Sequence, residues 1–147
     1  MERTGVDVDA WLAEAAADLG DARGGQLREL DAVIAPIFAG LDRTLWAGRF
    51  WGGTDQQIIG YGAIAQERPR GPAVDWFLVG LAAQSKHFSV YVNAVEGGEY
   101  LVRGWADRLG RVKVGAAAVT FADPSALDLD GFVAMLRRAR ETAPGVR

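Results

Sequence analysis

Cysteine is absent from these 147 residues, and histidine occurs once, at His87. The first absence removes disulfides, thiolate metal sites and cysteine nucleophiles, and it suits a reducing compartment. The second leaves a transition metal without the clustered imidazole and thiolate ligands that such sites ordinarily use. Basic excess is missing too. The net charge is −3 and the pI about 5.1, whereas nucleic-acid binders carry the positive charge that releases counterions from phosphates. The longest uncharged apolar run, Ala32 to Leu41, is about half of what a membrane span needs. No phosphate loop ending in Lys-Ser/Thr, no glycine-flanked serine nucleophile, no internal repeat and no low-complexity tract occurs. The opening stretch "MERTGVDVDAWLAEAAADLG" carries acids through what would be the apolar core of a signal peptide. These absences lead to the expectation of a soluble cytoplasmic protein with neither nucleic acid nor membrane as partner.

What is present reads as one α+β domain spanning 1–147. Val8, Trp11, Leu12, Ala15 and Leu19 recur at helical spacing behind Asp7 as N-cap, with Gly20 as the stop. "DARGGQ" (Asp21 to Gln26) reads as a turn. A second helix follows on the stripe Leu27, Leu30, Ile34, Ile37, Phe38 and Leu41, interrupted at Pro36, so the regular helix is expected to kink or end near Ala35. Leu30 and Ile34 are expected to be buried against a sheet. From Trp46 the pattern turns to strands: a short one over Arg49 to Trp51, a hairpin turn "GGTD", then strands over Gln57 to Gln66, Val74 to Ala83 and His87 to Asn93. Connections this short suit antiparallel neighbours, since a parallel crossover needs a dozen or more residues. A third helix carrying Leu101, Val102, Trp105 and Leu109 and ending at Gly110, a strand over Ala116 to Phe121, and a final helix with Phe132, Leu136 and Ala139 inward complete the chain. The expected architecture is two N-terminal helices, a mostly antiparallel sheet of about five strands, then helix, strand and C-terminal helix. Gly60 and Gly62, two apart in one strand, are expected to point to one face and to admit a helix, another backbone or a ligand.

Three groups of side chains carry candidate chemistry. Period-two alternation sets Phe88, Val90 and Val92 on one side of their strand and His87, Ser89, Tyr91 and Asn93 on the other. His87 therefore reads either as a solvated strand residue or as part of a site on a polar-aromatic face. Lys86, Arg108, Arg111 and Lys113 become its neighbours if the strands after Lys86 and Lys113 pair, and together they suit a phosphate or carboxylate. The alternative is ordinary surface charge at element ends. Glu14, Asp18 and Asp21 fall at i, i+4 and i+7, so they are either a hard-cation site, Fe(II) included, or the solvated face of an amphipathic helix. Among the five tryptophans, Trp11 and Trp105 lie on apolar stripes and read as core, while Trp46, Trp51 and Trp76 lie at or near the sheet, where a ring could stack on a ligand.

The blocks "LWAGRFWGGTDQQIIGYG", "WFLVGLAAQSKHFSVYV" and "YLVRGWADRLGRVKVGAAAVTFADPSALDLDGFVAMLRRA" resemble the successive blocks of the YdhG-like family. These are small bacterial domains, largely of unknown function, that include frataxin-like intracellular iron chaperones. The likeness runs over roughly Val8 to Glu141. Its most specific parts are Trp46, the Lys86-His87 pair with its alternating strand, and Leu109-Gly110, Lys113 and Gly115 ahead of the last strand and helix. The resemblance implies helices packed on one face of an antiparallel sheet and no established catalytic activity. It also implies iron as the cofactor to test, with intracellular iron binding or delivery as the function; the carboxylates read from their spacing, Glu14, Asp18 and Asp21, are the ligands to examine. The alternative is a module that binds an anionic small molecule or a protein through the sheet face, using Trp46, Lys86, His87, Tyr91, Arg111 and Lys113. A metal ion or small ligand is the expected partner in either case, and a homodimer is compatible with both.

Overall fold

In the computed structural model, which describes residues 1–50 and 54–147, the alternating apolar segments form one antiparallel sheet. Trp51, with Gly52 and Gly53 of the expected hairpin turn, lies outside the described residues. In chain order the elements are β1 (Glu2–Arg3), α1 (Val8–Leu19), α2 (Asp21–Ile34), β2 (Arg43–Phe50), β3 (Thr54–Gln66), β4 (Val74–Ala83), β5 (Phe88–Val92), β6 (Val95–Glu96), β7 (Glu99–Tyr100), α3 (Leu101–Gly104), β8 (Lys113–Val114), β9 (Ala118–Phe121) and α4 (Leu129–Thr142). Seven strands run in the order β1-β2-β3-β4-β5-β9-β8, and β6 pairs with β7 as a separate hairpin. The sheet is wider than expected because two-residue strands at each edge, β1 and β8, are too short to register as periodic patterns. Among the described residues no helix is long and apolar enough to cross a membrane.

All the long helices lie on one face. Val8 and Leu12 of α1, Leu27, Leu30 and Ile34 of α2, and Phe132, Met135, Leu136 and Ala139 of α4 pack on Leu45, Ile59, Tyr61, Val79, Leu81, Val90, Val92 and Val119. The alternation of β5 is as expected: Phe88, Val90 and Val92 are sealed from solvent beneath the helices. Asp7 caps α1 by accepting from the Asp9 amide, and Asp128 caps α4 by accepting from the Gly131 amide. Regular helix ends at Ile34, and Ala35–Phe38 tightens into a 3-10 turn around Pro36. The third helix is shorter than its pattern: α3 stops at Gly104 and a 3-10 turn over Ala106–Arg108 carries the chain to Gly110.

Glycine accounts for two departures from the sequence-based reading. "DARGGQ" is helical rather than a turn, and the break between α1 and α2 is Gly20 alone, at φ 89°. Gly24 is buried at the crossing of the two helices, where any Cβ would run into the carbonyl oxygen of Ala16. Close packing of the pair thus overrides the roughly 1 kcal/mol that each helical glycine costs. Gly60 and Gly62 do not share a face. Gly62 adopts φ 76°, which breaks the alternation, and its missing side chain faces Leu78, Leu41 and Val146 on the helix side. Opposite it, the neighbours Leu78 and Val79 both enter the helix-side core, while Phe77 turns to the other face.

Among the described residues that other face carries no helix, yet it is not bare. Trp46 (2% exposed), Ile58 (0%), Phe77 (0%) and Ala82 (1%) form a second apolar cluster, with Met1, Trp76 and Tyr91 packed around them. Gly60 and Gly80 stand directly opposite each other on β3 and β4. A Cβ on Gly60 would lie 2.5 Å from the Trp46 indole nitrogen, and one on Gly80 would lie 2.7 Å from the Phe77 ring. The paired glycines therefore let both rings approach the backbone closely. Trp46 and Phe77 meet edge to face at 5.6 Å, Trp76 stacks on Phe77 at 4.9 Å, and the Arg3 guanidinium sits 5.4 Å from the Trp46 ring.

Candidate ligand-binding cleft

The turn from β4 to β5 is held from outside itself. The Gln84 amide donates to the His87 carbonyl at 2.8 Å and closes the turn. Arg23 of α2 reaches across to donate to the carbonyls of Ser85 (3.2 Å), Gln84 (2.9 Å) and His87 (3.3 Å), and its guanidinium lies 4.8 Å from the Phe88 ring. One planar cation thus satisfies three carbonyl groups and fixes the helix pair to the end of the sheet.

A polar relay starts from the same turn. Ser89 donates to Gln84 Oε1 at 2.6 Å, and Gln84 Nε2 donates to the Tyr91 hydroxyl at 3.1 Å and to Gln56 Oε1 at 3.3 Å. At its Gln56 end the relay opens on a cleft with a volume of about 800 Å³. The apolar wall comes from Trp11, Ala15 and Leu19 of α1 and Leu27 of α2, and the polar wall from Gln56, Gln57, Gln84 and Ser85, with Asp18 and Asp55 also lining it. Trp11 belongs to this wall and is half-buried rather than sealed in the core. Trp105, the other tryptophan expected inside, is half-buried under the Arg108 guanidinium at 4.0 Å.

The residues that the sequence suggested as one anion site are distributed differently. The strand after Lys86, β5, does pair with the strand after Lys113, β9, but Lys113 itself lies on β8, one strand further out: Ser89 pairs with Thr120, and Thr120 with Lys113. Two strand spacings, about 9–10 Å, therefore separate the β5 and β8 backbones. Lys86, Arg111 and Lys113 are exposed and His87 is half-buried, and among the described residues none of these side chains bonds another. Tyr91 is tied into the relay through its hydroxyl, whereas Trp46 is buried in the helix-free cluster with its indole over Gly60. Glu14 and Asp18 are exposed on α1, but Asp21 opens α2 beyond the Gly20 break, so the i, i+4, i+7 series does not continue along one helix. Among the described residues no group of three or more His, Asp or Glu side chains is disposed to hold a metal ion.

One charged network was not foreseen. Asp31 of α2, 9% exposed, accepts from Tyr61 at 2.7 Å and from Arg43 Nε at 3.2 Å and Nη2 at 2.8 Å, while Arg43 Nη1 reaches Asp9 at 2.9 Å. Burial, followed by the Asp31 carboxylate, pushes the Tyr61 phenol well above its ordinary value, so it remains a donor. The signal was in the sequence: Asp31 stands one helical turn from both Leu27 and Ile34, inside the apolar stripe. An acid there must be paired.

No family model, curated protein or solved structure matches the chain.

Proposed function

We propose that the chain is a small-molecule binding module whose ligand lies in the cleft between the α1/α2 pair and the end of the sheet. The observation that carries this reading is the cleft's build, a volume of about 800 Å³ with an apolar wall around Trp11 facing glutamine amides. Ligand sites commonly have this size and this division between a broad apolar surface and a few polar groups. The relay from Ser89 through Gln84 supports it further, since amides held by buried partners present a fixed hydrogen-bonding pattern. The binding function thus moves from the helix-free sheet face, which its own rings fill, to the end of the sheet. Iron handling, implied by the YdhG-like resemblance, gains no support from the carboxylates, which form no three-ligand group among the described residues.

A fragment screen by NMR, read at the Trp11 indole N–H, tests the proposal. Compounds that move this resonance are expected, and Ala15→Phe, which fills the cleft, should abolish their effect. Failure of every compound at millimolar concentration to move it, or full binding by the Ala15→Phe protein, overturns the proposal.

A further inference from the structure

The relay determines which polar group Gln56 offers to the cleft. Ser89 is 4% exposed, and the only partner of its hydroxyl among the described residues is Gln84. A buried hydroxyl proton left without an acceptor is costly, so the Ser89 proton goes to Gln84 and the atom receiving it is the amide oxygen. Gln84 Nε2 is then turned toward Tyr91 and Gln56, and the Gln56 atom that accepts from it must be Oε1. With its oxygen engaged, Gln56 has its own Nε2 remaining, a donor with no partner among the described residues, on a side chain that lines the cleft.

Charge narrows the ligand further. Among the described residues, the charged side chains lining the cleft are Asp18 and Asp55, and the ion contact of Asp55 is a 3.9 Å approach to Arg49. Arg23, the basic group behind the Ser85 wall, is committed to three carbonyls. An anion therefore meets like charge at the rim, and an ammonium group has no lone pair with which to accept from Gln56. Trp11 supplies the flat apolar surface on which a ring can stack.

Resting on the cleft reading above, we infer that the cleft selects an uncharged aromatic molecule bearing a carbonyl acceptor, read by Gln56 Nε2, and that Ser89 is the positioning residue that sets this preference through Gln84. Titration of the full chain with acetophenone, aniline, benzoate and benzylammonium, followed by NMR at the Trp11 indole and the Gln56 side-chain amide, tests it. Acetophenone should bind about fivefold tighter than each of the other three, the size of one net hydrogen bond, and should move both resonances. Ser89→Ala frees Gln84 to turn over and should reduce the acetophenone-over-aniline preference to about twofold or less, while Ser89→Thr keeps the hydroxyl and the preference. Should Ser89→Ala fail to fold, Gln84→Glu serves instead. A carboxylate can only accept, so Gln56 must turn its N–H toward residue 84 and its oxygen to the cleft, and aniline should become the better ligand. Tighter or equal binding of any other probe to the unmodified protein overturns the inference, as does an unchanged preference in Ser89→Ala. Binding at Trp11 without preference refutes the inference alone, whereas no effect of any probe on Trp11 refutes the cleft reading with it.

Discussion

Ile58 and Ile59 are neighbours on β3, both at 0% exposure, and they are buried by different means. Ile59 faces the helix side, where residues from α1, α2 and α4 close over the sheet in one continuous core. Ile58 faces the other side, where Trp46, Phe77 and Ala82 close over it, in a cluster whose rings pack closely over Gly60 and Gly80. The first kind of burial needs a second layer. The second needs only large rings beside residues without side chains, and it leaves the cluster free to settle when an atom is removed.

Paired truncations put a number on that difference. Ile59→Ala should cost about 4 kcal/mol, because helices anchored elsewhere cannot follow the lost atoms, whereas Ile58→Ala should cost about 2 kcal/mol as the rings relax onto the sheet. Urea denaturation of the two variants measures this, and equal losses would show that the faces respond alike. Gly60→Ala probes the same face from the other direction. Its methyl group must displace the Trp46 indole, and about 2 kcal/mol of overpacking is expected, together with a shifted Trp46 indole resonance. An unmoved indole at unchanged stability would mean that the ring is not held against the backbone.

On the helix side, Tyr61→Phe removes one donor from the Asp31 carboxylate and should cost about 1.5 kcal/mol, again read by denaturation. A loss no larger than an ordinary surface substitution would mean that Arg43 alone satisfies Asp31. The smallest effect concerns the exposed ion pairs. Asp75 pairs with Arg3 at 2.6 Å and with Arg147 at 2.7 Å, joining β1 and the end of the chain to β4. Burial acts to raise the Asp75 carboxyl, but the hydrogen bonds and charges of Arg3 and Arg147 outweigh it and hold it below its ordinary value. A depressed carboxyl adds stability above its unfolded value, and that stability is lost as pH falls through the lower folded value. The protection factors of the Thr4 and Arg147 amides should therefore fall selectively below about pH 4, with the helix-side core unaffected. Asp75→Asn should remove most of this acid dependence.

The two faces were not equally legible in the sequence. Phe88, Val90 and Val92 alternate within one strand, so their burial follows from period two, and the stripe from Leu27 to Phe38 follows from helical spacing. The cluster around Trp46 depends on Gly60 standing opposite Gly80, a register between two strands that no local pattern encodes. The opposite facing of Gly60 and Gly62 turns on one left-handed residue, which a strand pattern cannot announce. The candidate site was legible in fragments. The stretch from Gln84 to Tyr91 drew attention through His87, yet the working contacts belong to Gln84, Ser89 and Tyr91, with His87 contributing its carbonyl. Trp11 looked like core because its stripe is apolar, and only the placement of α1 beside Ala47, Gly48 and Gln56 shows that one flank of the stripe borders a cleft.

The contact between Ala16 and Gly24 has a consequence for that cleft. Trp11, Ala15 and Leu19 stand on one helix and Leu27 on the other, so the spacing of the two helices decides whether these residues join into one apolar wall. A methyl group added at Gly24 would drive the helices apart at their crossing and split that wall without touching a lining residue. The continuity of the wall is thus set by a glycine that lines none of the cleft.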